Sequence, residues 1–236
     1  MENPTIDQLE TKLFNAIDNG NLQEVDALIQ KGVNLDSKNG NGNMPLHLAV
    51  TCGKETILEV LLENGAKIEE TDSSEMTPLQ IAVLRQKLLA AKVLLKFGAD
   101  VEVKKRFGFS PLHIAISEGN ISLAKLLIEF RADVNSPSQT GMLLPLSKAI
   151  CRKDLAMLEL LLQNGARPNI VNRHGPAIHL TIERKERKTF EMLLKYGALL
   201  EIKNGFGMTP LEVDLDATDQ KLEFVKTISY LKLQSF

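Results

Sequence analysis

Apolar residues recur along the chain at the three- and four-residue spacing of amphipathic α-helices. One such segment consists of Ile121, Leu123, Ala124, Leu126, Leu127 and Ile128. Related leucine-rich segments include Leu58, Val60, Leu61 and Leu62, then Ala91, Val93, Leu94 and Leu95, then Met157, Leu158, Leu160, Leu161 and Leu162, and finally Phe190, Met192, Leu193 and Leu194. The pattern predicts a series of helices whose apolar faces form the core.

A short polar-apolar marker precedes each of these segments and repeats at a nearly constant interval. Its clearest copies are Thr77-Pro78-Leu79-Gln80 and Ser110-Pro111-Leu112-His113. The second marker position falls at residues 45, 78, 111, 145, 177 and 210, in steps of 33, 33, 34, 32 and 33. A fixed period over most of a chain predicts a solenoid, in which each unit packs on its neighbours.

Residues 105–137 illustrate the local structure that one period predicts. Gly108 allows a turn, Ser110 or its Thr equivalent is expected to cap a first helix, and Pro111 suits that helix's first position. The helix is expected to end near Glu118, where Gly119 and Asn120 separate it from the leucine-rich second helix.

The period and the run Ser110-Pro111-Leu112-His113-Ile114-Ala115 resemble the ankyrin repeat family. The resemblance covers roughly residues 5–236. It implies an all-α solenoid of stacked helix-turn-helix units with protruding β-hairpin-like fingers. It also implies that His47, His113 and His179 hydrogen-bond the fingers and tie adjacent repeats.

We expect one continuous domain over residues 1–236, built from about seven units. Their approximate ranges are 1–38, 39–71, 72–104, 105–137, 138–171, 172–203 and 204–236, with capping units at both ends. The first cap is predicted to place Ile6, Leu9, Leu13 and Ile17 on one face. The last cap is predicted to form a helix with Leu222, Val225, Ile228 and Leu231. Because both ends have the pattern of caps, we expect a complete array.

Departures from the period cluster around the fifth and sixth units. Arg131 replaces the usual glycine after a second helix, which predicts a strained or shifted junction. Residues 141–144 carry one extra residue, Ser147 replaces the usual histidine, and the next finger, 173–176, is one residue short. Loop drift and a partner-specific contact or bend are both compatible with this irregularity.

Composition narrows the class of protein. The net charge is −2 with a pI near 6.1, which argues against a general nucleic-acid binder. The N-terminus lacks a signal-peptide pattern and no apolar run is long enough to cross a membrane, so we expect a cytoplasmic or nuclear protein. Cys52 and Cys151 are about three repeats apart, which predicts two ordinary thiols without an intrachain disulfide.

No motif announces catalysis, a metal site or a cofactor. The sequence has no HExxH, paired CxxC, GxxxxGK[ST] or GxSxG pattern. Asp214, Asp216 and Asp219 lack the spacing of a calcium loop and are expected to be solvated. His174 is expected to be exposed on a finger. We therefore expect a non-enzymatic protein without cofactors.

The family resemblance implies recognition through a concave surface of finger tips and first helices. Large apolar and arginine side chains recur at the positions that should face this surface. The predicted partner-binding residues are Met76, Arg85, Arg106, Phe107, Phe109, Glu118, Met142, Arg152, Arg173, Arg184, Phe206 and Met208. An alternative is that Phe109 and the methionines pack on neighbouring fingers, while the arginines are solvated or pair with Glu118 and Glu183.

These features predict a protein-protein interaction module that acts as an adaptor, inhibitor or assembly factor. The partner is expected to offer an apolar and acidic segment, and the unbound chain is expected to be a monomer that binds neither nucleic acid nor membrane. A structural tether, a self-associating scaffold and a pathogen effector that mimics a host interaction remain alternatives.

Overall fold

The computed structural model describes residues 5–105, 108–139, 144–172, 175–184 and 186–213. In these ranges the chain forms short helices in pairs and one two-residue β-ladder. The helices are α1 Ile6–Asn19, α2 Leu22–Gln30, α3 Pro45–Cys52, α4 Glu55–Glu63, α5 Pro78–Leu84, α6 Leu88–Lys96, α7 Pro111–Glu118, α8 Ile121–Glu129, α9 Pro145–Arg152, α10 Leu155–Gln163, α11 Ala177–Glu183, α12 Arg187–Lys195 and α13 Pro210–Val213. Strand β1, Val171–Asn172, pairs antiparallel with β2, Gly175–Pro176.

The chain divides into two compact units, Met1–Ala132 and Asp133–Phe236. In the first unit the odd-numbered helices α1, α3, α5 and α7 pack on one another in order, and the even-numbered helices α2, α4, α6 and α8 do the same. In the second unit α9 packs on α11 and α10 packs on α12. We call the odd-numbered helices the first-helix row and the even-numbered ones the second-helix row. This arrangement is the predicted all-α stack of helix-turn-helix units.

The ends of the first helices follow from the marker sequence. Thr77 precedes Pro78, and its hydroxyl accepts the Gln80 N–H while the Gln80 side-chain oxygen accepts the Thr77 N–H at 3.2 Å. This reciprocal cap is the one predicted for a Ser or Thr at that position. At the equivalent Ser110, however, the side chain makes no cap bond to the helix backbone. Its hydroxyl is instead 2.8 Å from Nδ1 of His113.

The leucine-rich segments supply the core, as their spacing predicts. Leu58, Leu94, Leu127 and Leu161 are all fully buried. Some predicted core residues lie toward the helix flanks and are only half-buried: Val60, Leu62, Ile121, Ile128, Met192 and Leu194. Fewer residues are therefore fully buried in the core than the apolar pattern alone indicates.

The two predicted caps have different outcomes. In α1, Leu13 and Ile17 are fully buried, whereas Ile6 in the first turn is 71% exposed, so the predicted apolar face is not covered at its N-terminal end. The predicted C-terminal helix with Leu222, Val225, Ile228 and Leu231 lies outside the described residues, as do Asp214, Asp216 and Asp219. The single continuous domain with seven units stays a prediction.

Arg131 adopts the left-handed conformation that its position predicts, with φ of 71°. Two similar sites between first and second helices, which the sequence pattern did not predict, are Gln86 with φ of 56° and Lys153 with φ of 59°. Glycine occupies the equivalent left-handed positions at Gly53 and Gly119. A residue with a side chain is strained in this conformation. Gln86 and Lys153 therefore add local backbone strain at positions where the fold also accepts glycine.

Candidate protein-binding surface

In α3, α5 and α11, a polar residue three positions after the helix cap connects the helix to the following loop. His47 is 1% exposed, and its Nδ1 accepts the Met44 N–H at 3.2 Å while its Nε2 lies 3.1 Å from the Glu70 carbonyl oxygen. Gln80 makes an equivalent connection, because its side-chain amide donates to the Phe109 carbonyl oxygen at 3.0 Å. The implied structural role is thus confirmed for His47.

His179 makes only half of this connection. Its Nε2 lies 3.0 Å from the Met208 carbonyl oxygen, but its buried Nδ1 has no hydrogen-bond partner among the described residues. The reason is in the shortened marker, where Pro176 occupies the cap position and has no N–H to donate. The missing residue of the sixth finger therefore leaves a buried acceptor without its donor.

Burial favours the neutral form of both histidines. It lowers the pKa of His47 below the ordinary value, with Asp72 acting in the opposite direction. It also lowers the pKa of His179, against the hydrogen bond to Met208. These imidazoles are structural connectors.

The loops that precede α3, α5 and α13 are closed by an Asn or Asp side chain. Asp72 Oδ1 accepts the N–H groups of Ser74 and Met76, and the Asp72 N–H donates to the Met76 carbonyl oxygen at 3.0 Å. Asn204 makes the same three contacts with Phe206 and Met208. Each loop therefore has an exposed tip and a base at which the chain turns into the helix.

The apolar residues that were predicted to bind a partner differ in their exposure. Met76 is at a loop base and is only 5% exposed. Phe109 and Met208 occupy the equivalent base positions and are half-buried, with the Phe109 ring centroid 5.9 Å from that of His113. Phe206 is at a loop tip and is 88% exposed. Of these residues Met76 is therefore the most buried, and Phe206 offers the largest exposed surface.

The predicted polar site residues are distributed differently. Arg85, Glu118, Arg152 and Arg184 are exposed at or just after the ends of first helices. Arg106, Phe107, Met142, Arg173 and the expected surface residue His174 lie outside the described residues. Exposure is necessary for a role in binding, and the assignment of these residues to a partner surface stays a prediction.

A cluster of positive side chains lies along the first-helix row of the second unit. Lys148 and Arg152 are one turn apart in α9, and Arg184 at the end of α11 donates from Nη1 to the Cys151 carbonyl oxygen at 3.4 Å. Burial, and secondly the charge of Arg152, lower the pKa of Lys148. Lys148 is not among the residues predicted to bind a partner, although its position one turn before Arg152 indicates that it shares the same helix face.

Chemically reactive groups are sparse in the part of the chain that the structure describes. No group of three or more His, Cys, Asp or Glu side chains there could hold a metal ion. Cys52 and Cys151 are free thiols. Burial and a hydrogen bond to Asp18 raise the pKa of Cys52, which disfavours the reactive thiolate.

The described helices also all fall short of the length and apolar character that a bilayer crossing requires.

Stacked helix pairs tied by cap-proximal His or Gln residues define the class as a helical-repeat protein. The sequence model for Ankyrin repeats (3 copies) matches residues 2–72 and 64–138, and the model for Ankyrin repeat matches residues 143–173. The chain therefore belongs to the ankyrin repeat family. Ankyrin repeats generally mediate protein-protein interaction and are typically non-enzymatic.

Similar proteins support the same fold. A putative ankyrin repeat protein of Rickettsia felis (strain ATCC VR-1525 / URRWXCal2) is 38% identical over 71 residues, which is 28% of this chain and only 31% of that protein. The ankyrin repeat domain of Bcl-3, a unique member of the IkappaB protein family, has a TM-score of 0.81 at 28% identity, covering 89% of this chain and 95% of that chain. The human ASB11 ankyrin repeat domain has a TM-score of 0.69 at 26% identity, covering 90% and 96% respectively.

Proposed function

We propose that this chain is a non-enzymatic adaptor, inhibitor or assembly factor that binds an acidic and apolar segment of another protein. The supporting observations are the positive cluster Lys148, Arg152 and Arg184 on the first-helix row of the second unit and the exposed tip residue Phe206 of the same unit. We call these four residues the cationic site.

The electrostatics of the cationic site favour carboxylates. Lys148 is half-buried beside Arg152, and both effects disfavour its charged form. A partner carboxylate near this lysine would stabilise its charged form. The two arginines add planar guanidinium groups, which bind carboxylates through two parallel hydrogen bonds.

The apolar part of the cationic site is displayed on an ordered loop. Asn204 Oδ1 accepts the Phe206 N–H at 2.9 Å and the Met208 N–H at 3.1 Å, so the backbone beside the ring is fixed before a partner arrives. An ordered loop loses little conformational entropy on binding. Aromatic side chains in such positions are typical anchors of protein interfaces.

One partner segment can reach both parts of the cationic site. Helix α11 is hydrogen-bonded near its start to the 204–208 loop, through His179 and Met208, and it carries Arg184 directly after its end. The rise of an α-helix gives about 8 Å along the axis between residues 179 and 184. A peptide of a few residues spans that distance.

The test compares the wild-type chain with the variant Arg152→Ala, Arg184→Ala, Phe206→Ala. The matched control is Arg167→Ala, Lys188→Ala, Leu199→Ala, which removes two exposed cations and one exposed apolar side chain of the same unit. Quantitative affinity capture with mass spectrometry would identify partners, after circular dichroism shows that all three proteins are folded.

We expect partners whose capture falls at least tenfold with the site variant and is retained with the control variant. Equal capture by all three proteins would refute the cationic site. If light scattering shows oligomers of the wild-type chain that only the site variant dissociates, the chain is a self-associating scaffold instead.

A further inference from the structure

A second exposed surface lies in the first unit, on the outward side of α6. This helix buries Ala90, Ala91, Val93, Leu94 and Leu95. Its remaining positions include Leu88 at 40% exposure, Leu89 at 61%, and the exposed Lys92 and Lys96; Phe97, directly after the helix, is 40% exposed. We call Leu88, Leu89, Lys92, Lys96 and Phe97 the α6 outer face.

Exposed apolar side chains are concentrated here. Among the described residues eight large hydrophobic side chains are exposed, and four of them, Leu84, Leu88, Leu89 and Phe97, lie within residues 84–97. A cluster of this kind is more informative than single exposed leucines, which are common on protein surfaces.

The equivalent positions in α4 and α8 show that the fold does not require leucine at position 89 or lysine at position 96. The position of Leu89 in α6 is occupied by Thr56 in α4 and by Ser122 in α8, both exposed. The position of Lys96 is occupied by Glu63 in α4 and Glu129 in α8. The same scaffold position thus accepts polar or acidic side chains one repeat away on either side.

The charge of the α6 outer face has one sign. Between Glu75 and Asp100 the chain has four basic residues, Arg85, Lys87, Lys92 and Lys96, and no acidic one. Within the described ranges, Lys92 and Lys96 have no ion pair within 4 Å. Because residues four apart share a helix face, these two ammonium groups are presented together.

We propose that the α6 outer face docks an amphipathic helix of a partner protein, separately from the cationic site. Apolar side chains of that helix cover Leu88, Leu89 and Phe97, and its carboxylates, spaced by one turn, pair with Lys92 and Lys96. The nine residues of α6 are about 14 Å long, enough to support two to three turns of a partner helix.

The neighbouring helix favours a narrow protein partner over a lipid surface. Helix α4 packs beside α6 and exposes Glu59 and Glu63. A flat anionic membrane that contacted the α6 outer face would also meet these carboxylates and be repelled. A single partner helix lying along α6 can instead place its acidic side over the lysines and leave α4 in solvent.

The probe for this test is a displayed library of helical 15-residue peptides, selected on the full chain. Selected peptides are then counter-selected against the variant Leu89→Ser, Lys92→Glu, Lys96→Glu. Serine is the residue that α8 carries at the position of Leu89, so the variant is expected to fold. The charge-matched control is Lys12→Glu, Lys31→Glu, which reverses two exposed lysines in and directly after the first two helices of the unit, away from α6.

We expect peptides with paired acidic residues one turn apart and an apolar face, whose Kd rises at least tenfold with the triple variant and less than twofold with the control. Exchanging the peptide's two acidic residues for lysines should restore binding to Lys92→Glu, Lys96→Glu. The proposal is overturned if no selected peptide depends on the α6 outer face, or if the charge exchange gives no rescue.

Two further measurements distinguish other occupants. Co-sedimentation with phosphatidylserine-phosphatidylcholine vesicles that is abolished by Leu89→Ser would overturn the proposal in favour of a membrane. Light scattering that shows a dimer of the wild-type chain and a monomer of Leu89→Ser would overturn it in favour of a second copy of this chain. Absence of both effects, together with the peptide result above, supports a helical protein partner.

Discussion

Replacing His47 with alanine should destabilise the first unit, whereas glutamine should largely preserve it. The imidazole is 1% exposed and connects two elements, since it accepts the Met44 N–H at 3.2 Å and lies 3.1 Å from the Glu70 carbonyl oxygen. Gln80 shows that an amide can make equivalent contacts one repeat later, to the Thr77 N–H at 3.2 Å and the Phe109 carbonyl oxygen at 3.0 Å.

The expected magnitudes follow from these contacts. Each hydrogen bond contributes about 1 kcal/mol to the free energy of unfolding, so the two together contribute about 2 kcal/mol. The space left by the ring adds about 1 kcal/mol, since a buried site collapses only in part. His47→Ala should therefore cost about 3 kcal/mol, and His47→Gln about 1 kcal/mol or less.

Urea unfolding followed by circular dichroism measures the free energy of unfolding of both variants. Because repeat arrays need not unfold in one step, amide hydrogen exchange at Met44 provides a local check. The Met44 amide should exchange faster in His47→Ala and at nearly the wild-type rate in His47→Gln. The reasoning is refuted if alanine costs less than about 1 kcal/mol, or if glutamine costs as much as alanine.

Three other predictions concern the connecting residues and the strained backbone. Because burial lowers the folded-state pKa of His47 and His179, the unfolded chain binds protons first as the pH falls. Their contribution to stability is full above about pH 6.5 and is lost as the pH falls through the folded-state pKa values, so His47→Gln, His179→Gln should flatten the dependence of the unfolding free energy on pH between about 7 and 5. A slope equal to the wild-type slope would contradict this assignment. Arg131→Gly should raise the unfolding free energy by about 0.5–1 kcal/mol, because relief of the left-handed strain exceeds the added entropy of glycine in the unfolded chain. Arg131→Ala is the control and should give no such gain in urea unfolding. Pro176→Thr, Ala177→Pro should restore a donor for Nδ1 of His179 and stabilise the second unit by about 1 kcal/mol, measured in the same way. If Pro176→Thr, Ala177→Pro raises the unfolding free energy by the same amount in the His179→Ala background as in the wild-type chain, the gain does not come from His179.

The repeat architecture could be predicted from sequence because its determinants are local and recur. Pro78 after Thr77, and the spacing of Leu123 and Leu127, specify a helix start and a buried stripe without knowledge of distant contacts. The left-handed conformation of Arg131 could be predicted because glycine occupies the equivalent positions. Gln86 and Lys153 were missed because only some repeats carry glycine at their position, so their replacement was less conspicuous.

The exposed surface was harder to predict, since period alone does not specify whether a loop residue points inward. Met76 and Phe206 are both large apolar residues on loops, but the first is 5% and the second 88% exposed. The difference comes from the contacts of Asp72 and Asn204, which turn the fifth residue of each loop toward the helix and leave the third at the tip. Counting from the Asn or Asp that closes the loop would have separated tip from base.

Comparing equivalent positions in neighbouring repeats therefore distinguishes residues that the fold requires from residues that are available for recognition. Where the scaffold has a requirement, the repeats converge on one chemistry, as His47 and Gln80 do with their paired hydrogen bonds. Where it has none, the chain is free to vary, and Leu89 stands between Thr56 and Ser122. An exposed leucine at such a position contributes little to folding, because its side chain remains 61% in solvent. Leu89→Ser should accordingly leave stability within about 0.5 kcal/mol of wild type, so that loss of peptide binding by this variant would report recognition rather than unfolding.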